Sequence, residues 1–201
     1  MKKFLEVFII LLIVCTSSYT QSVQTFSQLK TFQQSLSAAS LQFTIPKDFK
    51  EIKAYHEGNI DVDYAMELPE ENFQVWYLVK NTQQQWPKRS ISEENSKRNT
   101  INPDSLYSVT ANHQAMILAG KNNFTTRYLS QDVLNTFHAD KGKSYQLELF
   151  DRPETNHFQY ALLLSLQKTG VGFISMLFLS NDNGPEFYRK VNKAYYSVRF
   201  N

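Results

Sequence analysis

His138 and Asp140 place an imidazole and a carboxylate two positions apart in HADKG, and such a pair can move protons when a nucleophile or polarised water stands beside it. The sequence marks no such partner. There is no Gly-x-Ser-x-Gly elbow to expose a serine, and no Gly-rich phosphate loop, since Gly170 and Gly172 read as hairpin glycines. The same residues also read as the end of a helix. Phe137 continues an apolar helical face, and Ala139-Asp140 can finish its last turn. Gly142 then supplies a permissive backbone for the turn into the next strand. Asp140 is placed to accept backbone N–H bonds in that turn. This reading accounts for each residue without a substrate, so no catalytic residue is expected, and His138, Asp140 and His113 stay as the candidates to locate.

The other chemistry-bearing residues are dispersed. His56, His113, His138 and His157 fall at irregular spacings in different segments, which predicts no metal site. His56-Glu57 lacks the second histidine one helical turn later that a zincin helix needs. Asp61, Asp63 and Asp151 could hold calcium if they clustered; as loop carboxylates they are expected to be solvated. Asn123-Phe124-Thr125 is a glycosylation acceptor in a host that glycosylates exported proteins. No cofactor is expected.

The N-terminus carries an address. Lys2 and Lys3 precede the apolar run Val7–Cys15, and the polar stretch TSSYTQ follows, the pattern of a secretory signal peptide over residues 1–20. The run is far short of the roughly 20 residues that cross a bilayer. Cleavage after Ser18 or Thr20 leaves a small residue at the cut; the second, between Thr20 and Gln21, is the expected one, with an uncleaved anchor as the alternative. Cys15 sits in a lipoprotein-like box, but Val14 stands where the peptidase needs a small residue, so lipidation is not expected. Without the signal the chain has no cysteine, which removes disulfides and thiolate chemistry together. The predicted location is secreted or periplasmic.

Removing residues 1–20 takes away Lys2, Lys3 and Glu6, so 21 basic and 19 acidic residues become 19 and 18. A nearly neutral chain with no basic stripe implies neither nucleic acid nor an anionic membrane as partner. Fifteen Phe, eleven Tyr and two Trp against six Gly favour a sheet-rich core over a disordered tail.

The elements that must position these residues follow from periodicity. Residues 21–40 are Gln/Ser-rich, yet Leu29, Phe32 and Leu36 recur at helical spacing, predicting a short amphipathic helix. LQFTIP (41–46) reads as a short strand, and DYAMEL with NFQVWYLVKN as a hairpin around PEEN. Residues 82–101 are polar and aperiodic, an exposed loop. Asn102, Pro103 and Gly120 punctuate a helix whose Leu106, Val109, His113, Met116 and Ile117 share one face. Ser130 opens a shorter one through Val133, Leu134 and Phe137. SYQLELF (144–150), FQYALLLSLQKT (158–169) and VGFISMLFLS (171–180) are strands, the last two apolar enough to be central. Pro185 starts a final helix with Phe187, Val191 and Tyr195 facing inward. The order predicts a single α+β domain over 41–201, an antiparallel sheet with helices packed on it in an α/β/α sandwich.

On LQFTIPKDFKEI, DYAMELPEENFQVWYLVK, VLNTFHADKGKSYQLELF and YALLLSLQKTGVGFISMLFLSND the chain resembles the PsbP-like superfamily, the sandwich of the PsbP and DcrB type. It is similar above all to small secreted Bacteroidetes proteins of that fold. The likeness covers roughly residues 41–200 and rests on loose apolar and aromatic patterns. Where relatives tend to show Asn-Ala-Asp, this chain has His138-Ala139-Asp140. The resemblance implies a fold and an extracytoplasmic binding or scaffold role, and carries no catalytic residues across. The leading expectation is an exported non-catalytic module binding an unknown protein or small ligand. The alternatives are a hydrolase with a dispersed His/carboxylate site, and a small-molecule or metal carrier.

Overall fold

A computed structural model describes residues 28–55, 60–83, 102–121 and 123–201. The expected signal segment with Cys15 and the Thr20–Gln21 junction, the His56-Glu57 pair and most of the expected 82–101 loop lie outside the described residues. Nine strands and four helices are present among them. They are α1 (28–38), β1 (Leu41–Phe43), β2 (Lys50–Ile52), β3 (Tyr64–Leu68), β4 (Phe73–Asn81), α2 (Leu106–Ala119), β5 (Phe124–Tyr128), α3 (Gln131–Phe137), β6 (Lys141–Glu148), β7 (Tyr160–Lys168), β8 (Gly172–Ser180), α4 (Pro185–Ala194) and β9 (Val198–Phe200). No described helix is long and apolar enough to cross a membrane.

Seven strands form one antiparallel sheet in the order β2-β3-β4-β8-β7-β6-β5. The β3–β4 hairpin turns through Pro69–Glu71, with Asn72 in the left-handed region that Asn tolerates. β4, β8 and β7 lie at the centre and are buried on both faces, which explains their near-continuous apolar runs. Gly172 is required there, because a Cβ would stand 2.4 Å from the Lys80 carbonyl of β4.

Alternation splits the core in two. One face presents Met66, Val75, Leu164, Met176 and Phe178 to a layer made of α1, α3, α4 and the separate β1–β9 pair. Phe32 of α1 stacks on Tyr64 there, with ring centroids 4.7 Å apart. The other face presents Ala65, Trp76, Leu163 and Leu177 to α2. Helices, sheet and helix make three layers, so the α+β sandwich expected from the element order is the architecture of the described residues.

α2 meets the sheet by another face than its bulky side chains suggest. Tyr107, Ala111, Ala115, Leu118 and Ala119 are buried, whereas Val109 is 47% exposed and His113 points to solvent. Ala111, Ala115 and Ala119 let the helix axis approach the sheet closely, with Tyr107 and Leu118 buried beside them, and Val109 is left outside. β1 and β9 clasp the two ends of the described chain, with Leu41 opposite Phe200 and the Asn201 N–H donating to Ser40 O at 2.9 Å.

Candidate functional site

The His138 and Asp140 side chains turn to different partners, while Lys168 Nζ bridges the corner by donating to His138 O at 3.0 Å and to Asp140 Oδ1. α3 ends at Phe137, and His138 is its C-cap in the left-handed region (φ 53°). The Ala139 N–H returns to Leu134 O at 2.9 Å, closing the helix end. The His138 ring places Nδ1 3.0 Å from Phe200 O, which ties the helix end to β9. Asp140 faces the other way, into the β7–β8 hairpin. It accepts from the Thr169 N–H at 2.9 Å and from Lys168 Nζ at 3.2 Å.

Two local expectations need correcting. The residue with the special backbone is His138, not Gly142, and Asp140 lies beyond the helix rather than in its last turn. Gly142 sits inside β6, where a Cβ would stand 2.7 Å from Leu129 Cδ1 and 3.1 Å from Leu166 Cδ2. Glycine is there for room.

Burial alone would raise the Asp140 carboxyl, but the Thr169 N–H and the Lys168 ammonium outweigh it and hold it below the usual carboxylate range. A carboxyl lowered on folding stabilises above its unfolded pKa and loses that contribution as pH falls through the folded one. Asp140→Ala is therefore expected to cost on the order of 1 kcal/mol near neutral pH through lost hydrogen bonds, because a part-exposed ion pair adds little. The difference from wild type should shrink below the carboxylate range. His138→Asn should leave stability nearly unchanged, since Asn also accepts the left-handed cap. Denaturant melts of both variants from pH 2 to pH 7 check this; a costly His138→Asn would reverse the assignment.

The remaining candidates are scattered. Asp61 pairs with Lys80 Nζ at 2.7 Å, and Asp63 accepts the Val79 N–H at 2.7 Å. His157 Nδ1 lies 2.5 Å from Asp151 Oδ1, a His–carboxylate contact the sequence reading did not anticipate, and both side chains are well exposed on a loop. Among the described residues no three of His, Cys, Asp and Glu stand close enough to hold one ion. Asn123 is exposed at the start of β5 and its carbonyl accepts the Glu148 N–H at 2.9 Å.

The concave surface lies elsewhere. The helical layer covers β4, β8, β7 and the Gly142 end of β6 but stops short of the rest of β6 and of β5, so the inner-face positions Thr125, Arg127 and Gln146 remain exposed, with Ser144 half-buried. α4 forms a wall beside this bare flank. Two cavities of about 400 and 300 Å³ follow the junction, and both are lined by Thr125, Gln146 and Tyr188. The Gln146 Nε2–H donates to the Tyr188 hydroxyl across the groove and divides it into its two compartments.

The position of α4 has a physical cause. Its opposite side is tied to the β3–β4 turn: Glu71 takes Arg189 Nη2 at 2.5 Å and also Lys193, and Lys190 Nζ donates to Glu71 O at 2.6 Å and to Asp182. The Lys193 hydrogen bond, with Arg189 beside it, lowers the Glu71 carboxyl against its desolvation. Phe187 and Val191 anchor the helix underneath, which leaves Tyr188, Asn192 and Tyr195 along the groove. No family model matches the chain, and no curated protein matches it.

Proposed function

We propose that the chain is an exported, non-catalytic binding module that takes its ligand in the groove between α4 and the β5–β6 flank. The observation that carries this is the groove itself. On this face the packed helical layer ends before β5 and the adjoining half of β6, and the positions it leaves, Thr125, Arg127 and Gln146, are polar and exposed. A concave site with a few placed polar groups and aromatic walls is the usual form of a small-ligand site. Neither His138, Asp140 nor His113 lines it. The apolar N-terminal run and the resemblance to a family of extracytoplasmic proteins support the export and binding parts of the reading.

Two measurements test it. Secreted protein should have an intact mass beginning at Gln21, with no cysteine; a mass that retains residues 1–20, or a lipid on Cys15, would contradict the export reading. A photocrosslinking amino acid at Thr125 should give specific adducts in the native compartment, whereas one at Val109, on the outer side of α2, should not. Equal labelling from both positions, or none from Thr125, would remove the groove as the binding site.

A further inference from the structure

The geometry points to a neutral, polyhydroxylated ligand for this groove, a short oligosaccharide segment; the inference rests on the groove being the binding site. The lining is rich in uncharged groups that both donate and accept. Asn123, Asn183 and Gln146 bring amides, and Thr125, Ser144 and Tyr188 bring hydroxyls. A sugar hydroxyl also donates and accepts, so such a surface can satisfy it from either side. An anion would need converging cations and a cation would need converging carboxylates. The groove has one of each. Arg127 lines one compartment and Glu148 the other, and Glu148 lies opposite Asn123, four positions along β5 from Arg127. A wholly apolar ligand would strand the amides without partners.

The platform is Tyr188. Tyr188 is 40% exposed, and its hydroxyl accepts from the Gln146 amide across the groove. The apolar C–H face of a pyranose can lie on such a ring while its hydroxyls reach the amides on the floor. Gln146 then has a second part to play. A residue spanning both compartments must displace or share the Gln146–Tyr188 hydrogen bond, so a chain of two or more sugars makes use of contacts that a single sugar cannot.

The test is calorimetric titration of residues 21–201 with neutral linear tetrasaccharides of glucose and of N-acetylglucosamine, in both α and β linkage, alongside a polyuronate and an unstructured peptide. Saturable binding to at least one neutral tetrasaccharide is expected, weaker for the corresponding monosaccharide. Tyr188→Ala should weaken it by about tenfold, the scale of one well-formed aromatic contact, while Tyr188→Phe keeps most of the affinity. Gln146→Ala should weaken the tetrasaccharide more than the monosaccharide. Tyr128→Ala, which removes a more exposed tyrosine from the opposite face of β5, should change nothing. Binding only to the polyuronate or the peptide, or to no probe while Thr125 still crosslinks specifically, would overturn the ligand class and leave the groove standing. Loss of the Thr125 adducts as well would overturn both.

Discussion

Phe32→Ala is expected to lower stability by about 3–5 kcal/mol, the cost of emptying a buried phenylalanine site. Phe32 is fully buried, stacks on Tyr64 at 4.7 Å, and meets Phe43 at 5.1 Å and Tyr77 at 5.7 Å. It comes from α1, a Gln/Ser-rich helix with few other means of holding the sheet. Its remaining ties include Leu36 in the same core and the Gln28 side chain, which accepts from the Ala54 N–H at 2.8 Å and donates to Ile52 O at 2.9 Å. For a domain of this size the change corresponds to a fall of roughly 6–20 °C in Tm. Hydrogen exchange should rise first at Ala54, because its partner leaves with the helix. A Tm within about 2 °C of wild type would show that α1 is not part of the cooperative unit.

Phe187→Ala is the second large effect, also about 3–5 kcal/mol. Phe187 is 5% exposed and meets Phe73 edge-on at 6.4 Å, holding α4 on the sheet. It also lines the larger cavity, so its loss moves a wall of the groove. Phe187→Leu keeps most of the volume and should cost less than about 1.5 kcal/mol. Thermal melts of the two variants separate packing from a mere surface contact. An unchanged melt for Phe187→Ala would mean that α4 does not pack as described.

The parts of the fold readable in the sequence are those where burial is one-sided or complete. The runs at 158–169 and 171–180 are apolar because β7 and β8 are covered on both faces. Phe187 and Val191 recur at four-residue spacing because α4 buries one stripe. β5 gave no signal. FTTRY has its last four residues exposed, so no alternation survives in it. The inner face of α2 was hidden for the opposite reason: three of its five buried residues are alanines, and reading by bulk selects another side. The groove could not be seen as a motif. Its residues come from 123–129, 144–148, 160–164 and 183–195, and its lining is mostly uncharged, with one Arg and one Glu, so neither spacing nor charge marks it until the sheet brings the segments together. The histidine–aspartate pair, two positions apart in sequence, was conspicuous by residue type, whereas the two side chains turn to different partners in space.

The β1–β9 clasp bears on when the molecule can fold. Leu41 and Phe43 pair with residues 200 and 198, so one layer of the core lacks its last strand until nearly the whole described length is available. Closing a contact across so many residues is entropically late. A ribosome that still holds residues 197–200 therefore holds an incomplete body, with Phe32, Tyr64 and Tyr77 awaiting the strand and Ser197, whose hydroxyl lies 2.9 Å from that of Tyr77. Such lateness keeps the chain pliable while it is being made and lets it lock only once residues 198–200 are free to pair.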